Sequence, residues 1–222
     1  MRAGVLLDVD GTLVDSNYHH TLAWARAFAA EGISVPLARI HRHNGMGGDR
    51  LVEAVAGADV ERRLGDRIRG HESDEYSQLI GEVEPTDGAH ELLEALNRLG
   101  HRLCLASSGK PEEVEHYLEL LDARGLFDAF VCSADVSTTK PHPELVEVAR
   151  ERLEDADTYV FIGDSTWDCK AASAAGVPTI AVLTGGFGRD ELAQAGAAGI
   201  FTDPRELLEH LRAVATVARS AA

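Results

Sequence analysis

Short apolar runs recur along this chain, each followed by a polar, turn-rich break and then by residues at helical spacing. The runs at 4–9, 102–106, 129–132, 158–162 and 179–183, with a weaker one at 199–201, read as strands. Continuous apolar stretches of that length suit strands buried on both faces. Between them lie amphipathic stretches with clear punctuation. Asp87 and Gly88 precede 89–99, which Gly100 closes, while Pro111 opens 112–121 and Pro143 opens 144–153. Proline at a first helical turn and glycine past the last are the expected signals. Strand and helix in alternation predict an α/β fold, a mostly parallel sheet covered by helices.

The alternation fails in one place. From about Ser16 to Glu84 there are helical stretches and no convincing strand, so this segment reads as a helical insertion after the first strand. Its first helix is expected to begin near Ser16, to bury Leu22, Ala25, Phe28 and Ala29 along one face, and to stop at Gly32. A Gly-rich loop, Asn44 to Gly48, interrupts the insertion, and the acidic stretch from His71 to Tyr76 reads as a solvated helix face. The division expected is a core of residues 1–15 and 86–222 around an insertion of residues 16–85.

Composition narrows the function. The 222 residues carry 37 Asp and Glu against 21 Lys and Arg, a formal net charge of −16. Nucleic acid and anionic membrane both need a basic patch, so neither is an expected partner. An anionic substrate would need a local positive site. Cys104, Cys132 and Cys169 are odd in number and outside any CxxC pairing, which argues against a disulfide framework or a structural zinc site and for a reducing compartment. No run approaches twenty apolar residues and no signal peptide is legible, so the expected location is cytoplasmic. Oligomeric state is not legible.

The strongest chemical signal is Asp8-Val9-Asp10-Gly11-Thr12, at the end of the first strand. Ligand crevices in open α/β sheets lie beyond the carboxyl ends of the strands. Two carboxylates one residue apart point the same way from an extended backbone, so Asp8 could attack while Asp10 moves protons. A carboxylate approaching a phosphate meets like-charge repulsion, which cations and oriented amides must cancel. Ser107, followed by Ser108 and Gly109, ends the second strand, where a hydroxyl and backbone amides could hold a phosphoryl oxygen or simply form a turn. Lys140, fixed by Pro141, is either a solvated surface lysine or the cation that neutralises Asp8 and the phosphate. Asp164 and Asp168 follow the fourth strand. With Asp8 and the backbone carbonyl of Asp10 they make an oxygen site suited to Mg2+, with Asp168 holding its waters, while Asp164 and Ser165 also suit the cap of the next helix.

In this order the motifs resemble the haloacid dehalogenase superfamily. The resemblance implies a Rossmann-like parallel core with an inserted α-helical cap domain, and a two-step mechanism through an aspartyl-phosphate on Asp8 with Mg2+ as cofactor. It implies catalytic roles for Asp8, Asp10, Ser107 and Lys140, metal contacts at Asp8, Asp10, Asp164 and Asp168, and Thr12, Ser108 and Gly109 at the phosphate. The entry to the insertion, Asp15 to Trp24, is similar to that of β-phosphoglucomutases and phosphoglycolate phosphatases; in the former a histidine placed like His20 helps position the proton-transferring aspartate, so His20 is either that residue or an ordinary helix-surface histidine. Trp24 itself reads as core of the insertion. The Asn44–Arg50 stretch takes the place of a substrate-selecting loop, with Gly47 offering its backbone and Arg50 either meeting an anionic tail or pairing with Asp49 or Glu53. The expected partner is a small phosphate ester, a sugar phosphate or a phosphoglycolate-like compound, and the expected reaction is its hydrolysis, with sugar phosphomutase as the alternative. Residues 16–85 contain no lysine, which tells against mutase and phosphonate chemistry, and the presence of Asp10 tells against dehalogenation.

Overall fold

The structure, a computed structural model, describes residues 2–219. Six strands make one sheet: β1 (Ala3–Leu7), β2 (Arg102–Ala106), β3 (Ala129–Val131), β4 (Thr158–Gly163), β5 (Thr179–Val182) and β6 (Ala197–Phe201). Their spatial order is β3-β2-β1-β4-β5-β6, and every neighbouring pair is parallel. The chain adds β2 and β3 on one side of β1, then crosses over to add β4 to β6 on the other. That reversal opens a crevice at the carboxyl end of β1. Leu7 pairs with Leu105 on one side and Ile162 on the other, so Asp8, Ser107 and Asp164 all emerge close to one level.

Between β1 and β2 the chain forms α1 (Asn17–Ala30), α2 (Leu37–His41), α3 (Gly48–Ala56) and α4 (Ala58–Leu79). These helices enclose a cluster of their own, with Trp24, Phe28, Ile40, Leu51, Val55 and Ile68 at its centre. Around the sheet follow α5 (Ala89–Arg98), α6 (Pro111–Leu120), α7 (Glu144–Glu151), α8 (Thr166–Ala174), α9 (Arg189–Gln194), α10 (Pro204–Glu209) and α11 (Arg212–Arg219). Val5, Leu7, Leu105 and Ile162 face a layer built by α5, α6 and α11, while Leu6, Cys104 and Phe161 face α7 and α8. Both faces are covered, which is why the strands read as unbroken apolar runs rather than alternating ones.

Three expectations need correction. The first strand ends at Leu7, not at residue 9, because the chain turns sharply: the amides of Thr12, Leu13 and Val14 all donate to the carbonyl of Val9. In α1 the buried stripe is Asn17, Thr21, Trp24 and Phe28, and of the face expected from the sequence only Phe28 is buried; Leu22 is 37 % exposed. The helix lies with its first turns against a polar crevice, so its inward face carries Asn and Thr. The stretch from His71 to Tyr76 is not a solvated face either, since Glu72 and Tyr76 are buried against the core.

Candidate active site

Each strand of the central trio ends in one chemical group. Lys140, in the loop before α7, is fully buried, with Nζ 2.7 Å from Asp8 Oδ1 and 2.8 Å from Asp168 Oδ1. A desolvated ammonium is tolerated only where anions compensate it. Burial opposes its charge, and the two carboxylates outweigh that and raise its pKa. Burial, followed by Asp168 and Asp10, pushes Asp8 up to about 7 against the pull of Lys140. Burial, Asp168 and Asp8 raise Asp164 well above the usual carboxylate range.

Asp164 accepts from Thr12 Oγ1 at 3.0 Å and Asn17 Nδ2 at 2.9 Å. Gly11 lies between these partners with φ of 72°, a left-handed turn that suits glycine. Asp168 both caps α8, accepting from the amide and hydroxyl of Ser165 at 2.9 and 2.6 Å, and holds Lys140. Ligand oxygens of Asp8, Asp164 and Asp168 lie within 4.8 Å of one another. This all-oxygen donor set, with Asp8 and Asp164 both driven up by burial and by the charge of Asp168, fits a hard divalent cation.

Asp10 heads a second network. Its Oδ1 accepts from Ser16 Oγ at 2.6 Å and faces His20 Nε2 at 3.2 Å, while His20 Nδ1 lies 3.3 Å from Glu72 Oε1. Burial works against a charged ring, but the bonds and charges of Asp10 and then Glu72 raise His20 to about 10. Burial likewise opposes ionisation of Asp10, and His20, Ser16 and Tyr117 together hold its pKa below the ordinary value. The Tyr76 ring stacks on His20 with centroids 3.7 Å apart, and its hydroxyl shares a short hydrogen bond with that of Tyr117. Both shifts favour the ion pair, with the proton on the imidazole.

A cavity of about 120 Å3 lies between the strand ends and the insertion. Asp8, Asp10, His20, Lys140, Ser108, Gly109 and Gly47 line it. Ser107 is buried beneath, its Oγ accepting from the Gly109 amide at 2.9 Å, which orders the turn that presents Ser108 and Gly109. Two candidates, Thr12 and Arg50, sit outside the lining, and a third, Gly47, lines it with its amide already engaged. Thr12 braces Asp164 rather than lining the cavity, and the Gly47 amide is already given to Thr139 Oγ1 at 3.0 Å. Arg50 is outside the lining, donating to His142 Nε2 at 2.9 Å, and forms no ion pair with Asp49 or Glu53. Gly45, with φ of 92°, turns the loop where a side chain would meet Ser165. Sequence reasoning missed Arg69, Glu72, Lys110 and Glu113 at this site and placed Asn17 and Asn44 only within longer stretches. Lys110 had a signal, being one of three lysines and following the second strand; Glu72 had none that composition or spacing reveals.

Residues 3–176 match a family model described as a haloacid dehalogenase-like hydrolase. A phosphoglycolate phosphatase of Salmonella choleraesuis is 32% identical over 82% of this chain and 81% of its own length. A validoxylamine A 7'-phosphate phosphatase of Streptomyces hygroscopicus subsp. limoneus is 28% identical over 81% and 84%. The solved structure of a hydrolase from Pseudomonas syringae superposes with a TM-score of 0.90 at 31% identity, covering 96% of this chain and 99% of that one.

Proposed function

This chain belongs to the haloacid dehalogenase-like hydrolases and is a phosphatase, and we propose that it cleaves small phosphate monoesters through an aspartyl-phosphate on Asp8. The observation that carries this reading is the buried Asp8–Lys140–Asp168 chain at the carboxyl end of the sheet. Lys140 pulls Asp8 toward its carboxylate form against the effect of burial and offers positive charge to an incoming phosphate. An Asp8 oxygen forms the new bond to phosphorus as the ester P–O bond breaks, and the departing oxygen takes a proton from Asp10. That proton is supplied through the Asp10–His20 pair, and Glu72 holds the imidazole in place. Water then attacks phosphorus, Asp10 accepts its proton, and inorganic phosphate leaves with Asp8 restored.

Magnesium fits the oxygen donors of Asp8 and Asp164 and the Asp10 carbonyl, with Asp168 behind them, and when bound it supplies charge that offsets the approaching phosphate. We read residues 16–85 as a cap domain that closes the cavity and selects the leaving group, and a reducing cytoplasm as the compartment that suits three free cysteines. The test is phosphate release from a panel of sugar phosphates, phosphoglycolate, nucleotides and pyrophosphate, with magnesium and then with EDTA. Release should require magnesium and vanish in Asp8→Asn while the variant keeps its circular dichroism. Turnover that survives in Asp8→Asn would sink the reading.

A further inference from the structure

The wall of the cavity away from Asp8 carries charge that the phosphate does not use. Lys110 Nζ donates to Ser73 Oγ at 2.8 Å and lies 3.5 and 3.6 Å from the carboxylates of Glu72 and Glu113. Arg69 grips Glu61 through bonds of 2.9 and 3.0 Å and Asp66 at 2.8 Å, and also holds the Gly48 carbonyl at 3.2 Å. His20 is spanned by Asp10 and Glu72, and Lys140 by Asp8 and Asp168. Among the described residues lining the cavity, no cation is left without a carboxylate. A second anionic group on a substrate would enter beside Glu72 and Glu113 with nothing to pair it, in surroundings where repulsion is weakly screened.

A hydroxyl meets the opposite reception. Asn44 Nδ2 donates to the Asn17 carbonyl at 2.6 Å and to Thr21 Oγ1 at 2.8 Å, which fixes the orientation of the amide. Its Oδ1 is left buried with no hydrogen-bond partner, and so is Ser108 Oγ; both residues line the cavity. A buried polar atom without a partner is costly; the Asn44 oxygen only accepts, so a donor satisfies it, while the Ser108 hydroxyl both donates and accepts and so suits a hydroxyl too. Trp24, Met46 and Leu51 complete the wall with apolar surface.

We infer that the site takes monoesters of small, uncharged, hydroxyl-bearing alcohols and discriminates against leaving groups that carry a second anion, an inference that rests on the phosphatase reading. The test uses matched pairs that differ only in a hydroxymethyl group against a carboxylate. These are ethylene glycol monophosphate with 2-phosphoglycolate, and glycerol 3-phosphate with 3-phosphoglycerate, compared by kcat/KM with magnesium. The hydroxymethyl member should lead in each pair by about tenfold or more, a gap of about 1.4 kcal/mol. In Glu72→Gln, and independently in Glu113→Gln, the gap should narrow severalfold whatever happens to the absolute rates. Where turnover is slow, dissociation constants measured on Asp8→Asn give the same ratio. Equal or reversed ranking with phosphate still released overturns this inference alone. If no compound releases phosphate and beryllium fluoride with magnesium does not bind, the phosphatase reading falls and this one with it.

Discussion

At the scale of single residues, the site is a set of charges that would be intolerable apart. Lys140 is stable in the interior because Asp8 and Asp168 flank it, and Asp10 and Glu72 on either side of His20 favour its charged form. The second arrangement sets a pH dependence with a definite sign. The pKa of His20 rises from 6.5 in the unfolded chain to about 10 in the fold. Its contribution to stability is therefore fully present below about pH 6.5 and is lost as pH climbs through about 10. In metal-free buffer the melting temperature of the wild type should fall between pH 7 and pH 10 by several degrees more than that of His20→Gln, at roughly 2–4 °C per kcal/mol for a chain of this size. Parallel curves would remove the charged imidazole from the account. The residues proposed as catalytic were legible because they stand in short fixed patterns at strand ends. Glu72 was not, since an acidic residue on a polar helix looks solvated until the fold turns it toward a histidine more than fifty positions away.

At the scale of elements, the strands were the most readable part, because burial on both faces leaves a continuous apolar signature. Helix α1 was readable in extent and misread in facing. Its inward stripe mixes Asn17 and Thr21 with Trp24 and Phe28, so an apolar count alone favours the wrong side. The polar half is inward because it serves the crevice: Asn17 holds Asp164, and Thr21 accepts from Asn44. This orientation is testable. Phe28→Ala should cost about 3–5 kcal/mol by opening a cavity among Ile40, Leu51 and Ile68. Leu22→Ala, at an exposed position, should stay within about 0.5 kcal/mol. Chemical denaturation of both variants decides it, and comparable losses would mean that the helix presents the face expected from the sequence.

At the scale of the whole molecule, the excess of acidic residues and the anion-handling site are reconciled by geometry. The chain carries a net charge of −16, yet a buried lysine and a cluster of carboxylates suited to a divalent cation stand together at the switch point of the sheet. No described helix is long and apolar enough to cross a membrane. The insertion meets the core across the crevice through Gly47 to Thr139, His41 to the Gly185 carbonyl at 2.9 Å, and Trp167 to the Arg42 carbonyl at 3.1 Å. These contacts join two hydrophobic clusters that the sequence had separated only by the loss of alternation. The cavity wall is assembled from both sides, so the loop from Asn44 to Arg50 gave only part of it: Asn44 to Gly48 line the cavity, Arg50 turns to His142, and Lys110 takes a place from the core side. The account as a whole stands on a covalent phosphoryl group at Asp8. The most direct measurement is borohydride trapping during turnover with magnesium, followed by mass spectrometry of the N-terminal peptide. Reduction of an acyl phosphate should convert position 8, and no other carboxylate, to homoserine, and only when substrate is present. Phosphate released at full rate with Asp8 unmodified would contradict the account.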